Sequence, residues 1–249
     1  MSSLELWQSP PENLTLCERE ISVWRVSLDV SESAIASFRE ILSEDEIKRA
    51  DRYYFERDRN HFIAGRGFLR SLLSRYLSTS PQSLSFVYNP KGKPALVGNE
   101  LAFNVSHSNG LALYAIALNP PNSPPLQLGI DLEYIRSISD ADQLAKRFFT
   151  QREFEVISEL RSPEKEAAFF RAWTAKEAYL KATSEGISGL DQVEIELGDA
   201  IALQSIQGNS QVTVNWSLYE LYPHSNYSAA LAINQRNFEL KQFNSYQIN

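Results

Sequence analysis

One order of signals occurs twice along this chain, and that repetition limits the folds open to it more than any other feature. Residues 23–28 alternate, with Trp24, Val26 and Leu28 on one side, the pattern of a half-buried strand. Ser43-Glu44-Asp45-Glu46 follows as a capping box, in which Ser43 and Glu46 each satisfy the other's free backbone N–H. A helical pattern then runs from about residue 57 to 77, with Phe62, Ile63, Phe68, Leu69, Leu72, Leu73 and Tyr76 at helical spacings, until Ser80-Pro81 ends it. Strands are expected around 84–88 and 111–118. The order then returns. Residues 128–133 alternate, Leu128, Ile130 and Leu132 opposing Gly129, Asp131 and Glu133. Thr150-Gln151-Arg152-Glu153 is a second capping box, and a second long helix is expected over 164–183, with Pro163 suited to its start. Gly186 and Gly189 stop it, and strand-like runs follow at 193–197, 212–218 and 227–233.

Between the two rounds lie four prolines within residues 119–125, a composition that favours an extended, semi-rigid linker. The chain therefore divides near residue 122 into an N-terminal half, 1–121, and a C-terminal half, 122–249, both of α+β plan. The expected architecture is a pseudodimer of two similar subdomains with a ligand site in the cleft between them.

A chain of 249 residues, 43% of them hydrophobic, can bury such a core. The first residues lack the basic start and apolar run of a signal peptide, and no stretch approaches the roughly 20 apolar residues that span a bilayer. Cys17 is the lone cysteine, which excludes an internal disulfide framework and a multi-cysteine metal site. A soluble cytoplasmic protein is expected, with no membrane partner. The net charge of −7 argues against general nucleic-acid binding. Yet Lys48, Arg49, Arg52, Arg57, Arg59, Arg66, Arg70 and Arg75 cluster in one segment. They suit a compact polyanion, or a solvated helix face salted with Glu44, Asp45, Glu46, Asp51, Glu56 and Asp58.

Three segments carry candidate chemistry. In Gly129-Ile130-Asp131-Leu132-Glu133 the two carboxylates lie two apart on a strand, facing one way and about 7 Å apart. Their repulsion would be relieved by a hard divalent cation such as magnesium, though a solvent-facing strand edge has the same pattern. In the second segment Trp173, Glu177 and Lys181 recur every four residues and share one helix stripe. An ordinary Glu–Lys surface pair is one reading. The flanking Phe169, Phe170, Tyr179 and Leu180 favour a cleft wall instead, where Glu177 could hold metal or take a proton and Lys181 meet phosphate. The third joins the turn Lys91-Gly92-Lys93-Pro94 to Phe103-Asn104-Val105-Ser106-His107-Ser108, polar groups at a strand mouth that suit phosphate oxygens. There is no Gly-x-Ser-x-Gly elbow, no third glycine after Gly65-Arg66-Gly67 for a dinucleotide fingerprint, and no P-loop. His61, His107 and His224 are too few and too scattered for a histidine metal cluster.

Taken in order, these segments resemble the Sfp-type 4'-phosphopantetheinyl transferases. The likeness runs over roughly residues 40–190, from Glu46-x-x-Arg49 and Ala64-Gly65-Arg66 through Phe149-Thr150-Gln151-Arg152-Glu153 to Trp173-x-x-Lys176-Glu177-Ala178-x-x-Lys181. The acidic strand and the closing helix are the most specific parts. The resemblance implies a pseudodimer that moves the phosphopantetheine arm of coenzyme A onto a serine of an apo acyl or peptidyl carrier protein, releasing 3',5'-ADP. It implies magnesium on Asp131, Glu133 and Glu177. It implies coenzyme A contacts from Arg49, Lys91, Gly92, Lys93, Asn104, Ser106, His107 and Lys181. Catalytic roles would fall to Glu177, Lys181 and His107, in a monomer whose cleft is already complete. Two other readings share the coenzyme A contacts: an acyltransferase that frees the thiol, and a non-catalytic coenzyme A or carrier-binding module. Neither needs the full acidic set.

Overall fold

In the computed structural model, which describes residues 7–245, the repetition is one of connectivity as well as pattern. The opening residues 1–6, part of the stretch read for a leader, lie outside that range. The first half runs β1 (Glu20–Ser27), α1 (Glu32–Ile41), α2 (Glu44–Ala50), α3 (Glu56–Leu77), β2 (Phe86–Tyr88), β3 (Pro94–Leu96), β4 (Leu101–Ser108) and β5 (Leu111–Leu118). The second runs β6 (Leu128–Tyr134), α4 (Ala141–Phe148), α5 (Gln151–Ser158), α6 (Glu164–Thr183), β7 (Val193–Leu197), β8 (Ile201–Ile206), β9 (Ser217–Leu221) and β10 (Tyr227–Ile233). In each half the first strand pairs antiparallel with the last, which pairs antiparallel with the one before it: β1-β5-β4 and β6-β10-β9. The fold is α+β and duplicated.

Strand alternation layers the molecule. Ile21, Val23, Leu113 and Ala115 of the first sheet pack with Ile130, Leu132, Leu221 and Leu231 of the second in one core. The opposite faces receive the helices: Trp24, Val26, Tyr114 and Ile116 meet Leu69 and Leu73 of α3, and Ala230 and Ala232 meet Ala178 and Ala182 of α6. Both capping boxes form. Their glutamates do a second job, since Glu46 pairs with Arg66 and, at 2.6 Å, with Arg70 of α3, while Glu153 pairs with Lys176 of α6 at 2.6 Å. Arg70 and Lys176 stand at the same distance from their helix's left-handed cap, Ser78 and Ser184. The duplicated plan is thus anchored twice by one buried ion pair.

Several expectations shift. The final strand β11 (Glu239–Asn244) lies parallel to β1, so it completes the first half's sheet although it ends the second half of the sequence. Residues 212–218 are not one strand. Asn209 caps a 3-10 turn, Ser210–Asn215, by accepting from the Gln211 N–H at 2.9 Å, and the strand begins only at Ser217. The proline-rich connection folds back instead of extending: Asn122 takes a φ of 58°, and the Asn119 side chain binds the Asn99 carbonyl and the Leu126 N–H, each at 2.8 Å. Among the described residues no helix is long and apolar enough to cross a membrane.

Candidate active site

Small residues bring α6 unusually near β6. A Cβ on Gly129 would lie 2.0 Å from the Ala178 carbonyl oxygen and 2.4 Å from the Ala182 nitrogen, so only glycine allows this approach. Alternation then turns Asp131 and Glu133 toward the same helix, where Glu177 and Lys181 sit one turn apart. The stripe read from the sequence is therefore a cleft wall. Trp173 heads it within an aromatic cluster of Phe148, Phe149 and Phe169.

The two halves meet across β4 and β6 through side chains in place of a backbone ladder. At alternate positions of β4, Asn104 Oδ1 accepts from the Ile130 N–H at 2.8 Å, Ser106 Oγ from Leu132 at 3.2 Å, and Ser108 Oγ from Tyr134 at 3.1 Å. The same serines reach the acids: Ser106 donates to Asp131 Oδ1 at 3.0 Å and Ser108 to Glu133 Oε2 at 3.1 Å. Lys181 Nζ closes the set, 2.6 Å from Asp131 Oδ1 and 2.9 Å from Ser106 Oγ. Ser108 was absent from the sequence-derived site; the period-2 run Asn104-x-Ser106-x-Ser108 was the signal available for it, and for a strand through this segment.

Three carboxylates in one cleft repel. Burial pushes the Glu177 carboxyl up to about 7, aided by the charges of Asp131 and Glu133 and opposed by Lys181. Burial and the Asp131 charge likewise raise Glu133, against its bonds and charges from Ser108, Arg136 and Lys181. Asp131 Oδ2 and Glu177 Oε1 are both buried and without a hydrogen-bond partner. Orphaned carboxylate oxygens on facing elements fit a hard divalent cation, which takes oxygen donors. Among the described residues no three His, Cys, Asp or Glu side chains are already gathered as a ligand group; in this arrangement Lys181 is the counter-cation of Asp131.

Two cavities flank this centre. One, of about 270 Å³, is lined by Lys91, Gly92, Lys93, Asn104, Glu177 and Lys181. The other, of about 400 Å³, lies between the start of α3 and the β4–β5 turn, with Tyr53, Arg57, His61, Phe62 and His107 around it. Desolvation, and then the charges of Lys181 and His61, hold the His107 imidazole below its ordinary pKa. Arg49 is exposed and stacks over Phe62, its guanidinium carbon 5.2 Å from the ring centre. Arg57, one of the clustered basic residues of the sequence, and His61, assigned no ligand role from the sequence, lie one turn apart and face this cavity.

Lys93 departs from its expected role. Its ammonium donates to the carbonyls of Leu128, Lys181 and Ala182 at 2.9, 2.7 and 3.1 Å, leaving no donor for a phosphate. Asn104, through its bond to Ile130, joins the halves. Lys91 is exposed, with its backbone N–H on Asn89 Oδ1 at 3.0 Å.

Comparison with known proteins gives consistent matches over both halves. The model of the 4'-phosphopantetheinyl transferase superfamily matches residues 127–232, and that of the 4'-phosphopantetheinyl transferase N-terminal family matches residues 26–118. The 4'-phosphopantetheinyl transferase HetI of Nostoc sp. is 44% identical over 231 residues, covering 91% of this chain and 93% of HetI. The 4'-phosphopantetheinyl transferase Sfp of Bacillus subtilis is 27% identical over 64% of this chain and 68% of its own. The L-aminoadipate-semialdehyde dehydrogenase-phosphopantetheinyl transferase of Schizosaccharomyces pombe is 29% identical over 67% of this chain and 70% of its own.

Proposed function

This chain belongs to the 4'-phosphopantetheinyl transferase superfamily, and from that premise we propose that Asp131, Glu133 and Glu177 hold the magnesium of a coenzyme A-dependent transfer onto a carrier-protein serine. The observation that carries the assignment is the pair of buried, partnerless oxygens, Asp131 Oδ2 and Glu177 Oε1, on strand and helix faces that meet. Bound there, the cation would neutralise charge on the pyrophosphate of coenzyme A.

The remaining work belongs to side chains of this chain. The serine oxygen forms a bond to the phosphorus nearest pantetheine as that phosphorus loses its bond to the bridging oxygen, and 3',5'-ADP leaves with the electron pair. The serine proton goes to Glu177, directly or through water. Glu177 lines the cavity beside Lys91 and Lys181, which places a carboxylate acceptor where the hydroxyl would enter. Lys181, already 2.6 Å from Asp131, carries a positive charge that phosphate oxygens can share. His107, mainly neutral because its pKa is lowered, offers a ring N–H to phosphate without adding repulsion toward Lys181. Arg49 and Lys91, both exposed, are the charges available for the 3'-phosphate and the outer pyrophosphate oxygens.

Calorimetric titration of magnesium into the protein with coenzyme A present tests the assignment. Binding heat is expected for the wild type and its loss for Asp131→Ala. Undiminished magnesium affinity in that variant would remove Asp131 from the site.

A further inference from the structure

The last turn of any helix leaves four carbonyls without intrahelical partners, and their negative dipole end attracts a cation. In α6 the Leu180 carbonyl is met by the N–H groups of Ser184 and, at 3.1 Å, Glu185. The next two carbonyls, Lys181 and Ala182, are met by the ammonium of Lys93, at 2.7 and 3.1 Å. Its third N–H goes to the Leu128 carbonyl at 2.9 Å, at the first residue of β6. Lys93 comes from the other half of the molecule, on the turn between β2 and β3. That turn is rigid at its base: Asn89 Oδ1 accepts from the N–H groups of Lys91 and Lys93, and the Asn89 N–H returns to the Lys93 carbonyl at 3.1 Å.

The three carbonyls sit where the site's spacing is set. Leu128 precedes Gly129, whose missing Cβ is what lets β6 reach Ala178 and Ala182 of α6. From this junction β6 carries Asp131 and Glu133, and α6 carries Glu177 and Lys181. We infer that Lys93 is a positioning residue of the reaction: it clamps the end of α6 to the start of β6 and so holds Glu177 at the distance from Asp131 that the metal needs. The inference rests on the metal reading of the acidic set. Burial lowers Lys93 to about 8, so three carbonyls and a helix end are offsetting a real desolvation cost. A lysine kept for bulk alone would not bury its charge.

The clamp and a direct phosphate contact make opposite forecasts for Lys93→Met. With the clamp lost, magnesium affinity by calorimetry and kcat at saturating coenzyme A should each fall roughly 10–100-fold, as they do when an outer partner of a metal ligand is removed. Affinity for 3',5'-ADP in EDTA should stay within about twofold, and Lys93→Arg, which can still reach two carbonyls, should recover part of both losses. A large loss of 3',5'-ADP affinity with magnesium affinity intact would make Lys93 a phosphate ligand and overturn the inference. So would a lower melting temperature with kcat and magnesium affinity unchanged, which marks a merely structural lysine. If Lys93→Met does not melt cooperatively, Lys93→Gln, which keeps two N–H donors, is judged on the same quantities. Failure of the underlying reading is distinct: the wild type itself would then bind no magnesium, and both proposals fall together.

Discussion

Removing the charge of Glu177 should stabilise the protein while destroying its activity. The folded chain raises this carboxyl from 4.5 to about 7 because burial and the neighbouring carboxylates disfavour its anion. A group that binds its proton more tightly folded than unfolded loses stability as pH rises through that window. The penalty is absent below pH 4.5 and complete above about 7. At about 1.4 kcal/mol per pKa unit the shift corresponds to ~3 kcal/mol, and solvent screening in an open cleft reduces it to roughly 1–2 kcal/mol. Glu177→Gln keeps the side chain's length and helix propensity and deletes the charge. In EDTA, urea unfolding at pH 8 should therefore give Glu177→Gln a stability gain of roughly 1–2 kcal/mol over wild type, and near pH 4.5 the two should converge. Magnesium should then stabilise the wild type preferentially, closing the gap. Turnover should fall by orders of magnitude, since the proposed cation ligand and proton acceptor are both gone. A variant no more stable than wild type at pH 8 would refute the charge-repulsion argument; wild-type turnover across pH would refute the role.

Three other outcomes are expected. Arg49→Glu should weaken coenzyme A roughly tenfold or more while hardly changing dephospho-coenzyme A, because a charged hydrogen bond is worth about 1.5–3 kcal/mol; equal losses in a binding titration would place Arg49 away from the 3'-phosphate. Gly129→Ala puts a methyl 2.0 Å from a backbone oxygen, so thermal melts should show a loss of about 1–3 kcal/mol or outright failure to fold. Lys176→Met leaves Glu153 buried without the ammonium now 2.6 Å away and should cost about 3–5 kcal/mol in urea unfolding, with coenzyme A affinity of the folded protein unchanged.

What was legible in the sequence follows from which interactions are local. The span of α6 and the shared facing of Asp131 and Glu133 come from periods of 3.6 and 2, and each holds whatever the partner element is. The stripe Trp173, Glu177, Lys181 was open between surface pair and cleft wall, because only the packing of α6 on β6 decides it. Helix α1 did leave local marks that went unread: Ser31 as its cap, then Ala34, Phe38 and Leu42 at four-residue steps. The strand character of β4 was masked by polar residues, Asn104, Ser106 and Ser108, whose alternation serves a side-chain ladder and not an apolar face. The destination of Lys93 was hidden for a stronger reason. Its partners are backbone carbonyls in the other half, and a carbonyl has no identity in a sequence. The parallel pairing of β11 with β1 is equally non-local.

Phosphopantetheine transfer is proposed to depend on a metal site formed by Asp131, Glu133 and Glu177. The most direct test is the intact mass of an apo carrier protein after incubation with coenzyme A and this enzyme, across a magnesium series, for wild type and Asp131→Ala. The wild type should add the mass of phosphopantetheine in step with magnesium and stop in EDTA, while the Asp131→Ala carrier stays at its apo mass throughout. Near-normal modification by Asp131→Ala at low magnesium, or by the wild type in EDTA, would contradict the account.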